Sequence, residues 1–409
     1  MASSQKRSLW RNRDFLLLWS GQAVSSVGSQ VSLLAFPWLI LSVTHSPLLA
    51  GLIAAIRFLP YLLFGLVAGA LVDRWNRKRV MIVCDVGRAI VLGSIPVAYT
   101  FGWLTGTQLF LVAFIEGTLF IFFGLAEMAS LPHVVPQEQL SDALAQSMMM
   151  DSVVGLMGPS LSGILFTLGN IIPFLADALS YSASVVSLLF IRKQFQEERV
   201  DTTQKLWTEI KEGTGWLWRH PVIRFLALLN SVLIFCCVGY TLVVLVFAQE
   251  QHASKIAIGL IFAAGGLGSI VGAFMIGPLT RRFSFEQRLI WATWIWVITW
   301  LCFLIAPNPL ILGIVTAASF IIVPIHAATI YGYRLTHIPD RLQGRVTSIY
   351  RISLFGGQML GLLVTGLLLQ LVGPIYTVLI LFVPQVIMAI ATQINPHLHV
   401  ENAQRFRNT

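Results

Sequence analysis

Two oppositely charged residues stand where charges are costly. Arg57 lies about ten residues in from one end of an apolar stretch, and Glu116 lies about nine residues in from the matching end of another. A charge near mid-bilayer costs about 2.5–3.5 kcal/mol on insertion scales, so each needs a partner or a task. Their equal depth predicts that Arg57 and Glu116 interact, and that protonation or cargo binding changes the interaction. A static structural pair is the alternative. Glu127 follows Glu116 by three helical turns on the same face, roughly 16 Å away. It reads either as a second proton-relay carboxylate or as a solvated helix-end charge. Asp151 joins Arg57, Glu116 and Glu127 as a proton-coupling candidate. Asp151, Asp85, Arg88 and Arg351 all lie within about ten residues of the other surface, where charges snorkel or pair, so they also read as gate salt bridges. Asp177 lies in a further apolar stretch with no role that spacing assigns. His326 reads as a hydrogen-bonded core histidine.

The elements that must position these residues are membrane spans. The chain has 409 residues, 56% hydrophobic and only 11% charged, with a mean hydropathy of +0.78. Soluble domains carry about 25% charged residues, so the charges for two or three water-facing domains are missing. That excludes a cytosolic enzyme, a secreted disulfide scaffold and a disordered regulator. Twelve stretches of about 20 apolar residues read as spanning helices: 14–43, 47–72, 79–101, 107–130, 144–168, 171–191, 221–248, 255–279, 287–306, 309–333, 346–371 and 374–394. The first is too long and too polar, with Gln22 and Gln30, for a cleaved leader. The fold class expected is an all-α membrane protein: a six-helix bundle over 1–191, a cytoplasmic linker over 192–220, and a second six-helix bundle over 221–409 with a short tail. In the linker, Leu206, Ile210, Gly213, Trp216 and Leu217 recur at helical spacing, as in an amphipathic helix on the membrane surface.

The net charge of +9 does not require nucleic acid. All but four of the lysines and arginines fall on one side in a single membrane orientation, as the positive-inside rule expects. Both termini are then cytoplasmic, in a multi-pass protein of the cell's inner membrane. Cys84, Cys236, Cys237 and Cys302 lie in apolar stretches without metal-site spacing. Gly266, Gly268 and Gly272 imitate a dinucleotide fingerprint, but no strand precedes them, so helix packing explains them better. There is no phosphate-loop lysine, zinc-ligand histidine pair or nucleophile elbow. No catalytic residue, metal or cofactor is expected, nor any ATP-driven step.

Cargo contacts are sought on polar and aromatic faces. Gln22, Ser26, Ser29 and Ser32 follow 3–4 spacing and form a polar stripe on the first span. Asn230, Tyr240 and Tyr331 could join it from the second half, and Phe120 and Phe123 add apolar surface beside Glu116. Helix-to-helix packing is the competing use of such a stripe. An aromatic-lined cavity with few charges suits an amphiphile better than a sugar. The tryptophans at 291, 294, 296 and 300 read as lipid-facing or interfacial.

Several motifs narrow the reading. The stretch GALVDRWNRKR, Gly69 to Arg79, resembles the cytoplasmic loop of the major facilitator superfamily, with Asn76 in place of its usual glycine. The resemblance implies that Asp73 and Arg74, with Gly69, Arg77 and Lys78, build a cytoplasmic latch between the halves. At an offset of 203 residues, Gly272 to Arg282 repeats the glycine and basic pair but has Ile276 where Asp73 stands. Two repeats about an axis along the membrane normal are the form of that class. Gly155, Gly158, Pro159 and Gly163 resemble its export-associated element, with Ser162 replacing a glycine. Physically that element is a kinked packing helix. Together with RNRDFLLLWSGQAVSSVGSQV, FLADALSYSASVVSLL and IPDRLQGRV, these stretches look like the drug–proton antiporter branch that includes macrolide efflux proteins and siderophore exporters.

The resulting expectation is proton antiport of a hydrophobic or amphiphilic compound by alternating access. The partners would be a small amphiphilic substrate, protons and membrane lipids, and the chain would act as a monomer. A dedicated exporter of one siderophore or lipid-like metabolite is the alternative within transport. A transporter-derived membrane sensor is the alternative outside it.

Overall fold

In the computed structural model, residues 9–193, 195 and 214–398 are described; most of the expected linker helix lies outside them. Every long element among the described residues is a helix. In the first half these are α1 (Arg13–Thr44), α2 (Pro47–Ile56), α3 (Leu59–Arg74), α4 (Arg77–Thr100), α5 (Gly106–Val134), α6 (Leu140–Leu168) and α7 (Ile172–Phe190). A short α8 (214–219) precedes α9 (Pro221–Cys237), α10 (Tyr240–Glu250), α11 (Lys255–Arg282), α12 (Phe285–Leu301), α13 (Pro309–His337) and α14 (Asp340–Ile394).

Helices cover the expected stretches in order, with three departures. The second span breaks at Arg57–Phe58, where Pro60 opens α3 at a position that needs no N–H. The seventh breaks between α9 and α10 at Val238 and Gly239. The last two spans form one 55-residue element interrupted at Gly373, whose φ of 76° is left-handed and costs only glycine nothing. Among the described residues, ten stretches are long and apolar enough to cross a membrane, and the 42-residue Ser353–Ile394 holds the last two spans.

Helix starts follow side-chain chemistry. Asn76, Thr105, Ser254 and Asn308 each accept a hydrogen bond from the backbone N–H three residues on. Ser284 and Gln287 complete a reciprocal capping box. Asn76, the departure from the family loop, therefore has a structural role as the cap of α4. Large apolar side chains such as Phe274 at 79% exposure and Leu310 at 74% face outward. A surface of this kind fits hydrocarbon and not water.

The contacts divide the chain into two compact units. Unit 1 is Met1–Leu39 with Ile56–Val200, and unit 2 is Ile40–Ala55 with Asp201–Thr409. In unit 1, α4 packs on α5 and α7, and α3 packs on α5. A core of Phe15, Met81, Cys84, Phe123, Val134 and Leu188 joins their ends. In unit 2, α11 packs on α13 and α9 on α14. There Gly268 and Gly272 lie so close to the carbonyls of Ala317 and Ile321 that a side chain on either would collide with backbone.

Candidate functional site: a buried charge cluster in unit 1

The Arg57–Glu116 interaction forms as their depth predicts. The Arg57 Nε donates to Glu116 Oε2 at 2.6 Å and its Nη2 to Oε1 at 3.0 Å. This two-pronged geometry is the strong form of an arginine–carboxylate bond. Glu116 is 0% exposed, and the Arg57 side chain only 10%. Two local features bring them together. The α2–α3 break places Arg57 between helices, and Gly117 lets α5 approach until a Cβ there would collide with the Arg57 carbonyl.

Arg88 belongs to the same cluster, which corrects its assignment to a surface gate. Ten residues of helix climb about 15 Å, half the roughly 30 Å hydrocarbon core, so its distance from the surface already placed it near the midplane. Its Nη2 donates to Glu116 Oε1 at 3.4 Å, to Tyr181 Oη at 2.5 Å and to Ser29 Oγ at 3.1 Å. Its Nη1 reaches Asp85 Oδ1 at 3.3 Å, one helical turn away. Asp85 therefore also leaves the gate reading. The Arg88 guanidinium lies over the Tyr181 ring at 3.9 Å, with Phe120 and Phe123 at 5.4 and 5.6 Å. Cation and aromatic faces attract in such stacks, more so when dry.

Asp177, to which spacing assigns no role, has neighbours on α1 and α7. Ser32 Oγ donates to its Oδ2 at 2.5 Å, and Ser180 Oγ lies 3.2 Å from its Oδ1. Gly28 of α1 has no room for a side chain against Asp177 and Ser180. Tyr181 and Asp177 are the site residues that spacing missed. Their signal was present: Asp177, Ser180, Tyr181 and Ser184 recur at helical spacing on one face of α7.

The expected cargo residues separate. Ser29 and Ser32 point into the bundle, where the hydroxyls of Ser29 and Tyr181 are 2.6 Å apart, so they do not line a cavity. Phe123 is core, and so is Tyr240, packed against Phe262, Phe303 and Phe320. Gln22, Ser26 and Asn230 are half-buried, while Phe120 and Tyr331 are exposed. Glu127 is half-buried on α5. The side chains of Asp73, Asp151, Pro159 and Arg351 lie outside the described residues.

The loop and the proline-bearing helix have packing roles within unit 1. Arg77 donates to the carbonyl of Ala129 at 2.8 Å, and Lys78 to that of Ile191 at 2.7 Å just past the end of α7. Basic groups suit such carbonyl-rich helix ends. Arg74 is exposed, and Gly69 and Gly155 have open space around them. Gly158 lies against Gln30 of α1, and Ser162 Oγ donates to the Val31 carbonyl at 2.9 Å.

In unit 2 two interior residues depart from expectation. His326 is buried, but its Nε2 has no hydrogen-bond partner among the described residues, and its ring meets Trp296 edge to face. Trp300 is buried and donates to the Val378 carbonyl at 3.0 Å, so the tryptophan cluster does not all face lipid. At the repeat offset, Leu260 and Ser319 stand where Arg57 and Glu116 do. The paired charges have no counterpart there.

Comparison with known proteins agrees with this architecture. Residues 6–406 match the family described as transmembrane secretion effector. The multidrug efflux pump Tap of Mycolicibacterium fortuitum is 26% identical over 397 residues, covering 94% of this chain and 96% of that protein. Macrolide efflux protein A of Streptococcus pyogenes is 23% identical over 292 residues, 71% of each chain. Among solved structures, the nucleoside transporter NupG superposes with a TM-score of 0.72 at 13% identity, covering 93% of this chain and 98% of that one. A bacterial homologue of the iron transporter ferroportin gives 0.70 at 16%, covering 94% and 98%. At such identities these structures speak for the fold alone.

Proposed function

We propose, for a chain that belongs to the transmembrane secretion effector family of major facilitator transporters, the export of drug-like amphiphilic compounds by proton antiport with alternating access. The relatives named as multidrug and macrolide efflux proteins support the cargo class. The observation that carries the proton part is the set of ionisable residues Arg57, Asp85, Arg88, Glu116 and Asp177 in the interior of unit 1. A membrane helix retains ionisable residues at such depth for a task that offsets their cost. Glu127 and Asp151 are further candidates along the proton's route to the cytoplasm. One proton moving down about one pH unit and about 100 mV releases about 3.7 kcal/mol. That sustains a gradient of about 500-fold for a neutral cargo.

In this reading, 1–191 and 221–409 act as two bundles tethered by the linker over 192–220, with both termini cytoplasmic in a monomer. Asp73 and Arg74 latch the cytoplasmic end, and the anchoring of Arg77 and Lys78 on carbonyls of unit 1 holds the base of that loop. Gly155, Gly158, Pro159 and Gly163 form the export-associated element of α6, in which Gly158, with Ser162, packs on α1. Half-buried Gln22, Ser26 and Asn230 and exposed Phe120 and Tyr331 remain the cargo candidates.

The test is ethidium efflux from inverted vesicles, with and without a proton gradient, for wild type and Glu116→Gln. Gradient-dependent movement in wild type that is lost in the folded variant supports the reading. No ethidium movement from folded wild type turns it toward a dedicated metabolite exporter.

A further inference from the structure

Among the described residues, the interior of unit 1 holds two cations, buried Arg88 and nearly buried Arg57, and three buried carboxyls, Asp85, Glu116 and Asp177. Glu116 is held by both arginines and Asp85 by Arg88. Among the described residues, no lysine, arginine or histidine lies within ion-pair distance of Asp177, and its partners are hydroxyls. A buried carboxylate without a cation neutralises by taking a proton. A carboxyl gripped by two guanidinium groups does not. Charge balance therefore selects Asp177 over Glu116 as the carboxyl that gains and loses a proton.

The polar stripe of α1 leads away from it. Ser32, bonded to Asp177, is followed one turn back by Ser29, whose Oγ also donates to the Ser25 carbonyl at 2.8 Å. Ser25 Oγ donates to the Gln22 carbonyl at 3.2 Å, and Gln22 Nε2 to Ser26 Oγ at 3.3 Å. Ser32 to Gln22 spans about 15 Å of helix, ending at half-exposed Gln22 and Ser26. Gln22 Oε1 is buried with no partner among the described residues, so it suits a water on that path.

We infer that Asp177 is the carboxyl that carries the antiported proton, reached along the Gln22–Ser26–Ser29–Ser32 face of α1. This rests on the proton-antiport reading and assigns its proton to a residue outside the Arg57–Glu116 pair. The step is a proton binding at an Asp177 carboxylate oxygen and leaving it again, with no other bond changed. Ser32 and Gly28 on α1 and Ser180 on α7 lie against Asp177. The charged and titratable groups that act on it are Arg57 at the α2–α3 break, Arg88 on α4, Glu116 on α5 and Tyr181 on α7.

The experiment follows the side chain and the coupling separately. In full-length protein labelled with carbon-13 at aspartate carboxyls, the Asp177 signal is assigned by its loss in Asp177→Asn and followed across about pH 5 to 9. The expected result is a pH-dependent shift of that signal; a signal that stays fixed overturns the inference. In vesicles, gradient-driven ethidium export is expected in wild type and lost in Asp177→Asn. Export that remains gradient-driven in Asp177→Asn overturns the inference and leaves the antiport reading standing, whereas wild type indifferent to the gradient removes the antiport reading itself. Ser32→Ala guards against a folding defect in Asp177→Asn. It keeps the carboxyl and is expected to move the pH at which the signal shifts, and an unmoved transition counts against the inference.

Discussion

Gly117 lies against the main-chain carbonyl of Arg57, closer than any side chain would permit. Because the obstructing atom is backbone, it cannot turn aside as a side-chain tip could. The approach places Glu116, one residue away, within reach of Arg57 Nε at 2.6 Å. Gly117→Ala should therefore push α5 from the α2–α3 break and lengthen the ion pair. The expected cost is about 1–3 kcal/mol, as for other overpacked sites, together with reduced export. Thermal unfolding in detergent and ethidium efflux measure the two effects. Unchanged stability would show that the helices have slack at this point.

A second prediction separates the cost of breaking the buried pair from its worth. Removing one partner leaves an uncompensated charge, which costs about 3–5 kcal/mol, while replacing both by apolar groups is often neutral. Arg57→Met and Glu116→Met should each destabilise unit 1 strongly. The double variant should be more stable than the Glu116→Met single variant, because Arg88 keeps Asp85 at 3.3 Å. A double-mutant cycle of unfolding free energies gives the coupling. Additive single effects would refute the pairing as an energetic unit.

The helices and the Arg57–Glu116 pair were legible in the sequence because lipid makes both signals loud. Hydrocarbon demands long apolar runs, and a charge within one stands out. Arg88 was misplaced through a depth error, since ten residues of helix is half a bilayer. Tyr181 stayed unseen because a tyrosine in an apolar helix reads as apolar until its hydroxyl finds Arg88. The stripe on α1 was visible as a stripe, but spacing says which residues share a face and not what that face meets. Here Ser29 and Ser32 meet α7, in Tyr181 and Asp177. The break at Gly239 left no strong signal either, because an apolar run reads the same straight or kinked, whereas the break at Arg57 was marked by Pro60.

Asn76 offers a test at a surface position. Its side chain accepts from the Arg79 N–H and starts α4. Asn76→Ala should cost about 1 kcal/mol, and Asn76→Gly, which restores the usual residue of the family loop, only a few tenths. Thermal unfolding ranks the variants. Equal losses would mean that the cap contributes nothing and that Asn76 acts through another contact.

In unit 2 the segment Ile40–Ala55 is held by backbone approach more than by side-chain bonds. A Cβ on Gly366 would sit 2.9 Å from both the Gly51 Cα and the Pro47 carbonyl. A Cβ on Gly51 would meet the Leu362 carbonyl at 2.6 Å. Nearby, Ser46 Oγ donates to Gln370 Oε1 at 2.9 Å in an exposed position, where water replaces the bond readily. Gly366→Val should therefore cost about 1–3 kcal/mol by forcing two backbones apart. Ser46→Ala should stay within about 0.5 kcal/mol of wild type. If transport requires this packing to form and release, Gly366→Val should slow ethidium export while Ser46→Ala leaves it near the wild-type rate. The opposite ranking in unfolding and efflux assays would mean that the hydrogen bond, and not the glycine contact, fastens α2 to α14.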